Sequence, residues 1–214
     1  MRGEAVAIYS GLLILGFGGH ARSIADVALG AGIAELCFVD ENARPDESFV
    51  GFKVLPEWVG ELPKGWAVIP GSGDNFKRQS QLAFAAEQGW PLATLVASTA
   101  TLGVGSTVEA GCFIAQHAHV GPMSSIGRGC IINSGAIIEH DCVVGDYTHV
   151  SIGACVAGRS RIGRYCFLGA GSTVIDGLSI TDNVILGAGG CATQALELSG
   201  TYVGVPARLI SGTR

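Results

Sequence analysis

An aliphatic residue recurs at every sixth position from residue 96 to residue 186, sixteen times without a slip. A small residue stands four positions after most of them, and glycine often follows them directly, as at Gly103 and Gly121. A fixed short period indicates a repeat fold, and a period of six excludes an α-helix. The pattern predicts a parallel β-helix over residues 96–191, built from triangular coils of three hexads. The aliphatic and small residues would fill the prism, and the glycines would take its turns.

The preceding part of the chain lacks this period. Short apolar runs alternate there with two helical patterns, the runs at residues 12–15, 36–39, 67–69 and 92–96 and the helices at 21–31 and 76–88. Strands alternating with helices predict a small parallel, Rossmann-like α/β domain over residues 1–95, with Asp74 or Asn75 capping the second helix. The apolar start at residues 1–19 is similar to a secretion signal, but the glycine turn and helix that follow favour a buried first strand. Residues 192–214 are predicted to be an extended segment that leaves the prism.

Composition narrows the choice of function. Charged residues make up only 14% of the chain and the mean hydropathy is +0.43, which suits a solenoid interior. No run of eighteen apolar residues predicts a membrane span, and a net charge of −5 gives no reason to expect nucleic acid. Four of seven cysteines take small interior positions and none forms Cys-x-x-Cys, so we expect free thiols, a reducing cytoplasm and no zinc. No two histidines of the coils stand five residues apart, as in the γ-class carbonic anhydrases, so no metal is predicted.

A glycine turn follows the first predicted strand. Gly16, Gly18, Gly19 and His20 resemble a dinucleotide fingerprint, in which a helix N-terminus and bare backbone N–H groups receive phosphates. A third spaced glycine is missing, so a plain strand–helix turn remains the alternative. Asp40 ends the second predicted strand, where an acidic residue commonly binds a ribose; the alternative is a solvated loop acid.

Residues eighteen apart stack on neighbouring coils, about 4.8 Å from each other. One outward column is apolar except for a histidine, and it contains Phe113, Ile131, His149, Phe167 and Ile185. An exposed apolar stripe predicts a partner surface, and the simplest partner is another copy of the chain. His149 would then lie in or beside an interface, where packing alone would explain it.

His140 is the strongest candidate for catalysis. An imidazole can accept a proton at physiological pH, and the neighbouring Asp141 can orient it and stabilise its charged form. Gly158, one coil away, would leave open space beside the ring. An ordinary surface histidine is the alternative. A further column of Ser134, Ile152, Ala170 and Ala188 would form the floor of a groove for a long, thin ligand.

The chain resembles the hexapeptide-repeat acyltransferases that acetylate bacterial nucleotide-linked amino sugars, as in the bacillosamine and perosamine pathways. Sialic-acid O-acetyltransferases are relatives of that family. The motifs that carry the resemblance are the Gly16–His20 turn, Asp40-Glu41, Asn133-Ser134, the segment from Ile138 to Cys142, the segment from His149 to Ala154, Cys166 to Gly169 and Gly204 to Ala207.

The resemblance implies a left-handed β-helix and an acetyl-CoA-dependent homotrimer with active sites between subunits. His140 would be the general base and Asp141 its partner, where relatives often carry Glu. His149 would lie near the thioester carbonyl, and the acetyl-CoA site would also include Gly158, Ala170 and Ala188. The nucleotide sugar would be held by Gly16, Gly18, Gly19, His20, Asp40, Glu41, Asn75 and Asn133.

The predicted function is therefore an acetyl-CoA-dependent N-acetyltransferase. It would act on a nucleotide-linked 4-amino-4,6-dideoxy sugar by direct attack of the amine on the thioester. A sugar O-acetyltransferase and a non-catalytic trimeric nucleotide-binding scaffold are the alternatives. The Glu139-His140-Asp141 segment argues against the scaffold, whereas nothing in the sequence chooses among UDP, dTDP and GDP.

Overall fold

The computed structural model describes residues 9–212, with side chains up to residue 210. The first eight residues of the predicted 1–95 domain and the last two of the predicted 192–214 extension lie outside the described residues. Between them, an α/β domain is followed by a parallel β-helix, and the predicted fold class is confirmed. The domain consists of β1 (Gly11–Leu15), α1 (Gly19–Gly30), β2 (Glu35–Val39), β3 (Ser48–Phe49), β4 (Phe52–Leu55), β5 (Trp66–Pro70) and α2 (Asn75–Glu87).

The sheet of the α/β domain has the order β3-β4-β2-β1-β5, with β1 in parallel register between β2 and β5. Because β1 is covered on both faces, all five of its residues are buried and its sequence is uniformly apolar. The short β3–β4 hairpin at the sheet edge was not predicted. Helices α1 and α2 have 12 and 13 residues, and neither could span a bilayer.

The β-helix has three faces, each a sheet of stacked short strands. The first face contains β6 (Leu95–Val96), β9 (Phe113–Ile114), β12 (Ile131–Ile132), β15 (His149–Val150), β18 (Phe167–Leu168), β21 (Val184–Leu186), β23 (Gly200–Val203) and β24 (Arg208–Gly212). The second face contains β7 (Thr101–Leu102), β10 (His119–Val120), β13 (Ile137–Ile138), β16 (Cys155–Val156), β19 (Thr173–Val174) and β22 (Cys191–Ala192). The third face contains β8 (Thr107–Val108), β11 (Ser125–Ile126), β14 (Val143–Val144), β17 (Arg161–Ile162) and β20 (Ser179–Ile180).

Small interior residues do more than fit a narrow prism. Several are hydroxyls or thiols that donate to a carbonyl fifteen residues ahead, as Ser124 does to Glu139 at 2.6 Å and Thr148 to Gly163 at 2.8 Å. The same oxygens accept the backbone N–H of the residue eighteen ahead. Each interior hydroxyl thus joins two coils, and its burial is compensated by hydrogen bonds.

The turns are not made by the glycines that follow the aliphatic residues, so that prediction is wrong. Those glycines lie where a Cβ would meet the backbone of the next coil, for example 2.6 Å from the backbone nitrogen of His140 at Gly121. The left-handed conformation instead recurs at every sixth residue from Gly105 to Gly189, with φ between 56° and 78°. Seven of these positions are not glycine, and they include Asp141 and Arg159. Each of these two donates its N–H to the coil below, at 3.0 and 2.9 Å.

The apolar stripe has a different partner from the predicted one along its lower half. Phe113 and Ile131 are buried in one core with Ile24 and Ala28 of α1, so the chain's own α/β domain covers them. The stripe therefore does not by itself argue for a second copy of the chain. Farther up, Ile185 is 43% exposed.

The C-terminal segment does not leave the prism. Its first strand, β23, pairs in parallel with β21 as a further rung of the first face, and β24 then returns antiparallel beside it. Tyr202 of β23 is buried in the prism core. The closing residues thus cap the upper end of the β-helix.

Arg78 of α2 joins the two domains. Only 1% of it is exposed, and its guanidinium donates to Gly129 O at 2.6 Å and Tyr147 O at 2.7 Å on the β-helix. It also donates to Asn75 Oδ1 at 2.9 Å and to the carbonyls of residues 72 and 73. Burial lowers the pKa of Arg78 to about 10, so it remains a cation at neutral pH, satisfied by carbonyl and amide oxygens.

Candidate active site

The glycine turn lies at the carboxyl end of β1 and leads into α1. Gly16 has φ +113°, which favours glycine, while Gly18 is the N-cap of α1 in an extended conformation. A Cβ on Gly18 or Gly19 would meet nothing within 4 Å, and no side chain caps α1. The first N–H groups of α1 therefore face open space, as an anion-binding helix terminus requires. Helix α2 differs, because Asp74 caps it by accepting from Lys77 N at 2.8 Å.

Asp40 fixes the shape of this turn. Its carboxylate accepts from Phe17 N at 2.9 Å and from Asn42 N at 3.0 Å. Burial acts to raise the pKa of Asp40, but the hydrogen bonds from Asn42 and Phe17 outweigh it and lower the pKa. Asp40, which was predicted to bind the ribose, thus also connects the segments that follow β1 and β2.

Two cavities meet at the turn. One of about 380 Å³ is lined by Gly16, Gly18, Gly19, His20 and the loop from Gly71 to Gly73, and one of about 300 Å³ by Val39, Asp40, Glu41 and Phe84. They share Gly16, Asp40, Lys77 and Gln81. Six of the eight predicted substrate residues, all except Asn75 and Asn133, thus line these two adjoining cavities. Lys77, which the sequence reasoning missed, is the cation at this junction.

A third cavity of about 640 Å³ continues past Gly73 between α2 and the first face of the β-helix. Its walls are Asn75, Phe76, Tyr165, Phe167, Asn183 and Ile185. The aromatic rings of Phe76 and Tyr165 stack with their centroids 5.0 Å apart. The three cavities therefore follow one another from Asp40, past the glycine turn, to the upper coils, and the last two meet at Gly73.

Asn75 and Asn133, which were predicted to hold the nucleotide sugar, each have hydrogen-bond partners within the chain. The amide of Asn75 donates to Tyr165 O at 2.9 Å and to Cys166 O at 3.0 Å. Asn133 accepts from Ser134 N at 2.8 Å and lies 3.1 Å from His149 Nε2. Substrate binding by these two amides would require breaking contacts that hold the domains and an imidazole in place.

His149 is buried between the domains. Its Nδ1 donates to Gly73 O at 3.2 Å, so its Nε2 is the acceptor for Asn133. Both ring nitrogens therefore have hydrogen-bond partners within one chain, so a contact of His149 with the thioester oxygen would require one of these bonds to break. The ring of His20 lies 6.2 Å away and packs edge-on against Phe113. His20 Nε2 has no hydrogen-bond partner within residues 9–212.

These two histidines are neutral at physiological pH. Burial, followed by the charges of His149 and Arg78, lowers the pKa of His20 to about 3. Burial, followed by the charge of Arg78, lowers the pKa of His149 to about 4. No carboxylate contributes to either pKa shift. Protonation of either ring would therefore place a second positive charge near the buried guanidinium of Arg78.

We expect acid to destabilise the protein through His20. Because its folded pKa is lowered, the unfolded chain binds protons first, and stability falls as pH drops below about 6.5 towards the folded pKa. Between pH 7.5 and 5 the loss due to His20 is about 2 kcal/mol. His20→Phe keeps the packing on Phe113 and should reduce the drop in unfolding free energy by about that amount. Urea titrations at the two pH values measure it, and an equal drop in both proteins would contradict the assignment.

His140 lies at another edge of the prism, where the second face turns into the third after β13. Its Nδ1 lies 2.8 Å from Asp141 Oδ2, and both side chains are about half exposed. The carboxylate of Asp141, which is shorter than the Glu that relatives often carry, thus still reaches the ring. Asp141 has a left-handed φ of 59°. With Asp141 on Nδ1, Nε2 carries the lone pair and lies over Gly158 of the next coil.

Gly158 does not leave empty room beside the ring, so that expectation is corrected. A Cβ there would lie 2.6 Å from His140 Nε2, which means that the imidazole itself lies over the glycine. Gly158 therefore allows the ring its orientation. Beyond it stands Asp176, paired with Arg159, two residues that the sequence reasoning did not assign to the site.

The predicted residues fall on three separate parts of one chain. The nucleotide-type residues lie on the α/β domain, which packs on the first face and on the edge near Tyr147 and Tyr165. His140 and Asp141 lie on the edge between the second and third faces. Ala170 and Ala188 are exposed on the remaining edge. Within residues 9–212, no three His, Cys, Asp or Glu side chains are arranged to hold a metal.

The fold joins a parallel β-helix to a Rossmann-like α/β domain, and solved acetyltransferases share this architecture. Residues 11–83 match the family model of the PglD N-terminal domain. The acetyltransferase domain of PglB from Neisseria gonorrhoeae, solved with acetyl coenzyme A, is 27% identical, with a TM-score of 0.88 over 94% of this chain and 100% of that one. PerB from Caulobacter crescentus, solved with CoA and GDP-perosamine, is 29% identical, with a TM-score of 0.85 over 97% and 100%. Among curated protein sequences none matches.

These findings fit the hexapeptide-repeat sugar acetyltransferase family, and the resemblance stated from the motifs is confirmed. The predicted enzyme class, an acetyl-CoA-dependent acyltransferase, is confirmed with it. The handedness of the β-helix agrees with that of its acetyltransferase neighbours.

Proposed function

We propose that the protein is an N-acetyltransferase that moves the acetyl group of acetyl-CoA to the amine of a nucleotide-linked 4-amino-4,6-dideoxy sugar. The single observation that carries the proposal is the His140–Asp141 pair, half exposed at an edge of the prism, with Nε2 left as the acceptor. Such a pair is suited to deprotonate an amine. PerB, bound to CoA and GDP-perosamine, supports this substrate class.

The nucleotide would occupy the cavities at the glycine turn. The open N-terminus of α1 would receive the diphosphate, with Lys77 as a nearby cation, and Asp40 and Glu41 would face the ribose and base. The groove past Gly73 would then lead the sugar towards Phe167. Acetyl-CoA would lie along the small residues Ala170 and Ala188.

An active site shared between copies would fit the placement of these parts. His140 lies on the edge opposite the first face, and the α/β domain is packed on that face. A sugar held by the domain would therefore reach a histidine of another copy rather than its own. This supports the homotrimer with sites between subunits that the resemblance implies. The seven free cysteines suit the cytoplasm, where acetyl-CoA and sugar nucleotides are found.

A thiol-release assay tests the function. Acetyl-CoA is supplied with UDP-, dTDP- and GDP-linked 4-amino sugars, and with their 4-hydroxy counterparts as controls. We expect thiol release with at least one amino sugar. Release only with hydroxyl acceptors would replace the proposal by O-acetylation, and binding without release would favour a scaffold.

Gly18→Val should weaken nucleotide-sugar binding without destabilising the fold. The site of the new side chain is empty and the backbone is extended, so only a ligand is obstructed. We expect KM for the nucleotide sugar to rise about tenfold or more, since charge-assisted hydrogen bonds are worth over 1.4 kcal/mol, and KM for acetyl-CoA to stay constant. Gly30→Val, at the other end of α1 and equally open, is the matched control. Equal increases in both KM values would contradict the assignment.

Mixing two variants tests whether the site is shared. His140→Ala removes the proposed base, and Gly18→Val obstructs the proposed nucleotide site. If the parts come from different copies, refolding the two together creates some sites with both parts intact, and activity rises above that of either variant. Sites confined to one chain would show no gain, and light scattering reports the assembly state of each sample.

A further inference from the structure

Asp176 stands two coils above His140 and is held in a defined orientation. One carboxylate oxygen, Oδ2, is paired with Nη2 of Arg159 on the intervening coil. The other, Oδ1, is turned towards Gly158, where an added Cβ would lie 3.2 Å from it. The same Cβ would lie 2.6 Å from His140 Nε2. The carboxylate and the imidazole thus face each other across a glycine.

The two facing atoms are close enough to share one small polar group. The distances from the Gly158 position place Asp176 Oδ1 and His140 Nε2 less than about 6 Å apart, and they share no hydrogen bond. A donor about 2.8 Å from each atom, on the open side away from Gly158, can bridge a separation of up to about 5.6 Å. Any side chain on Gly158 would displace the imidazole from this position.

The chemistry of the two facing atoms selects the occupant. Oδ1 of an ionised Asp176 can only accept, and Nε2 also accepts while Asp141 holds Nδ1. A hydroxyl has one proton to donate and can satisfy one of them. An ammonium has three donors and satisfies both, and its charge complements the carboxylate.

We infer that Asp176 receives the ammonium form of the acceptor amine and positions it against His140. This inference rests on the proposed function, and it makes the site select a cationic amine over a hydroxyl. His140 Nε2 takes one proton of the ammonium and later releases it to solvent. The freed lone pair attacks the thioester carbonyl, the C–S bond breaks, and a second proton of the nitrogen passes to the thiolate sulfur of CoA.

The test is the selectivity of binding, measured by calorimetry without acetyl-CoA on the assembled enzyme. The wild type should bind the nucleotide-linked 4-amino sugar about tenfold or more tightly than its 4-hydroxy counterpart, the scale of one charge-assisted contact. Asp176→Asn should lose most of this preference. Its KM for the amino sugar should rise by a similar factor, with KM for acetyl-CoA unchanged.

Asp182→Asn is the matched control. Asp182 stands six residues on, pairs with Arg164 at 3.6 Å and is 46% exposed against 51% for Asp176, but it does not face His140. Arg159→Gln should reduce the preference in part, because Asp176 loses its support. A full preference in Asp176→Asn, or a rise in KM for acetyl-CoA alone, would overturn the inference. Lack of transfer by the wild type to any amino sugar would instead refute the proposed function.

Discussion

Replacing His140 by alanine is expected to lower turnover by about a hundredfold or more, the usual size of a general-base contribution. Its Nε2 lies over Gly158 and is free to accept, and Asp141 holds Nδ1 at 2.8 Å. The side chain is 44% exposed, so the substitution should leave stability near that of the wild type. Steady-state kinetics with saturating acetyl-CoA and amino sugar measure the effect.

Two further variants define what His140 does. Asp141→Asn should cause a smaller loss, because the carboxylate orients the ring and supports its charge without touching the acceptor. His119→Ala removes another outward imidazole of the β-helix, bonded to Thr101, and should leave turnover unchanged. Near-wild-type turnover of His140→Ala would show that the amine arrives already neutral and that His140 only binds it.

Replacing Arg78 by methionine is expected to destabilise the junction of the two domains by roughly 3–5 kcal/mol, because buried carbonyls of Gly129 and Tyr147 would lose their donor. Methionine fills much of the same volume but cannot hydrogen-bond. The loop from Ser72 to Gly73 would be released too, and with it one wall of the nucleotide groove.

The three tryptophans allow the unfolding of the α/β domain to be followed separately from that of the β-helix. Trp58, Trp66 and Trp90 all precede the β-helix, so their fluorescence reports the α/β domain, while far-ultraviolet circular dichroism is dominated by the coils. In Arg78→Met the fluorescence transition in urea should move to lower concentration and separate from the dichroism transition. Arg161→Met, an exposed arginine of β17, should change stability by no more than about 0.5 kcal/mol. Coincident, unshifted transitions in Arg78→Met would contradict the role of the buried guanidinium.

The resemblance to a family was recognisable from contiguous motifs, and the structural comparisons agree with it. What the motifs could not convey is where their residues lie relative to one another. Asn75 was predicted to hold the nucleotide sugar, and its amide is bonded to Tyr165 O and Cys166 O. That contact joins residues ninety positions apart, and no local pattern signals it.

The sequence by itself determined the β-helix, because each coil repeats the same local requirement. Every sixth residue must be apolar to fill the prism, and this period is visible wherever the chain is read. It also placed His140 beside Asp141 on an outward turn, since neighbours in sequence and residues eighteen apart are neighbours in space. The first strand and its glycine turn were predictable for the same reason, being continuous in the chain.

Only the tertiary structure decided how the two domains meet. The apolar stripe through Phe113 and Ile131 required a partner, and the sequence could not say that α1 of the same chain provides it. The buried Arg78 gave no signal either, because arginine is normally exposed and its acceptors are backbone carbonyls, which every residue has. Likewise, Asp176 faces His140 only because the coils stack and Gly158 lacks a side chain. Such contacts depend on packing between distant segments, and a periodic pattern records only what repeats.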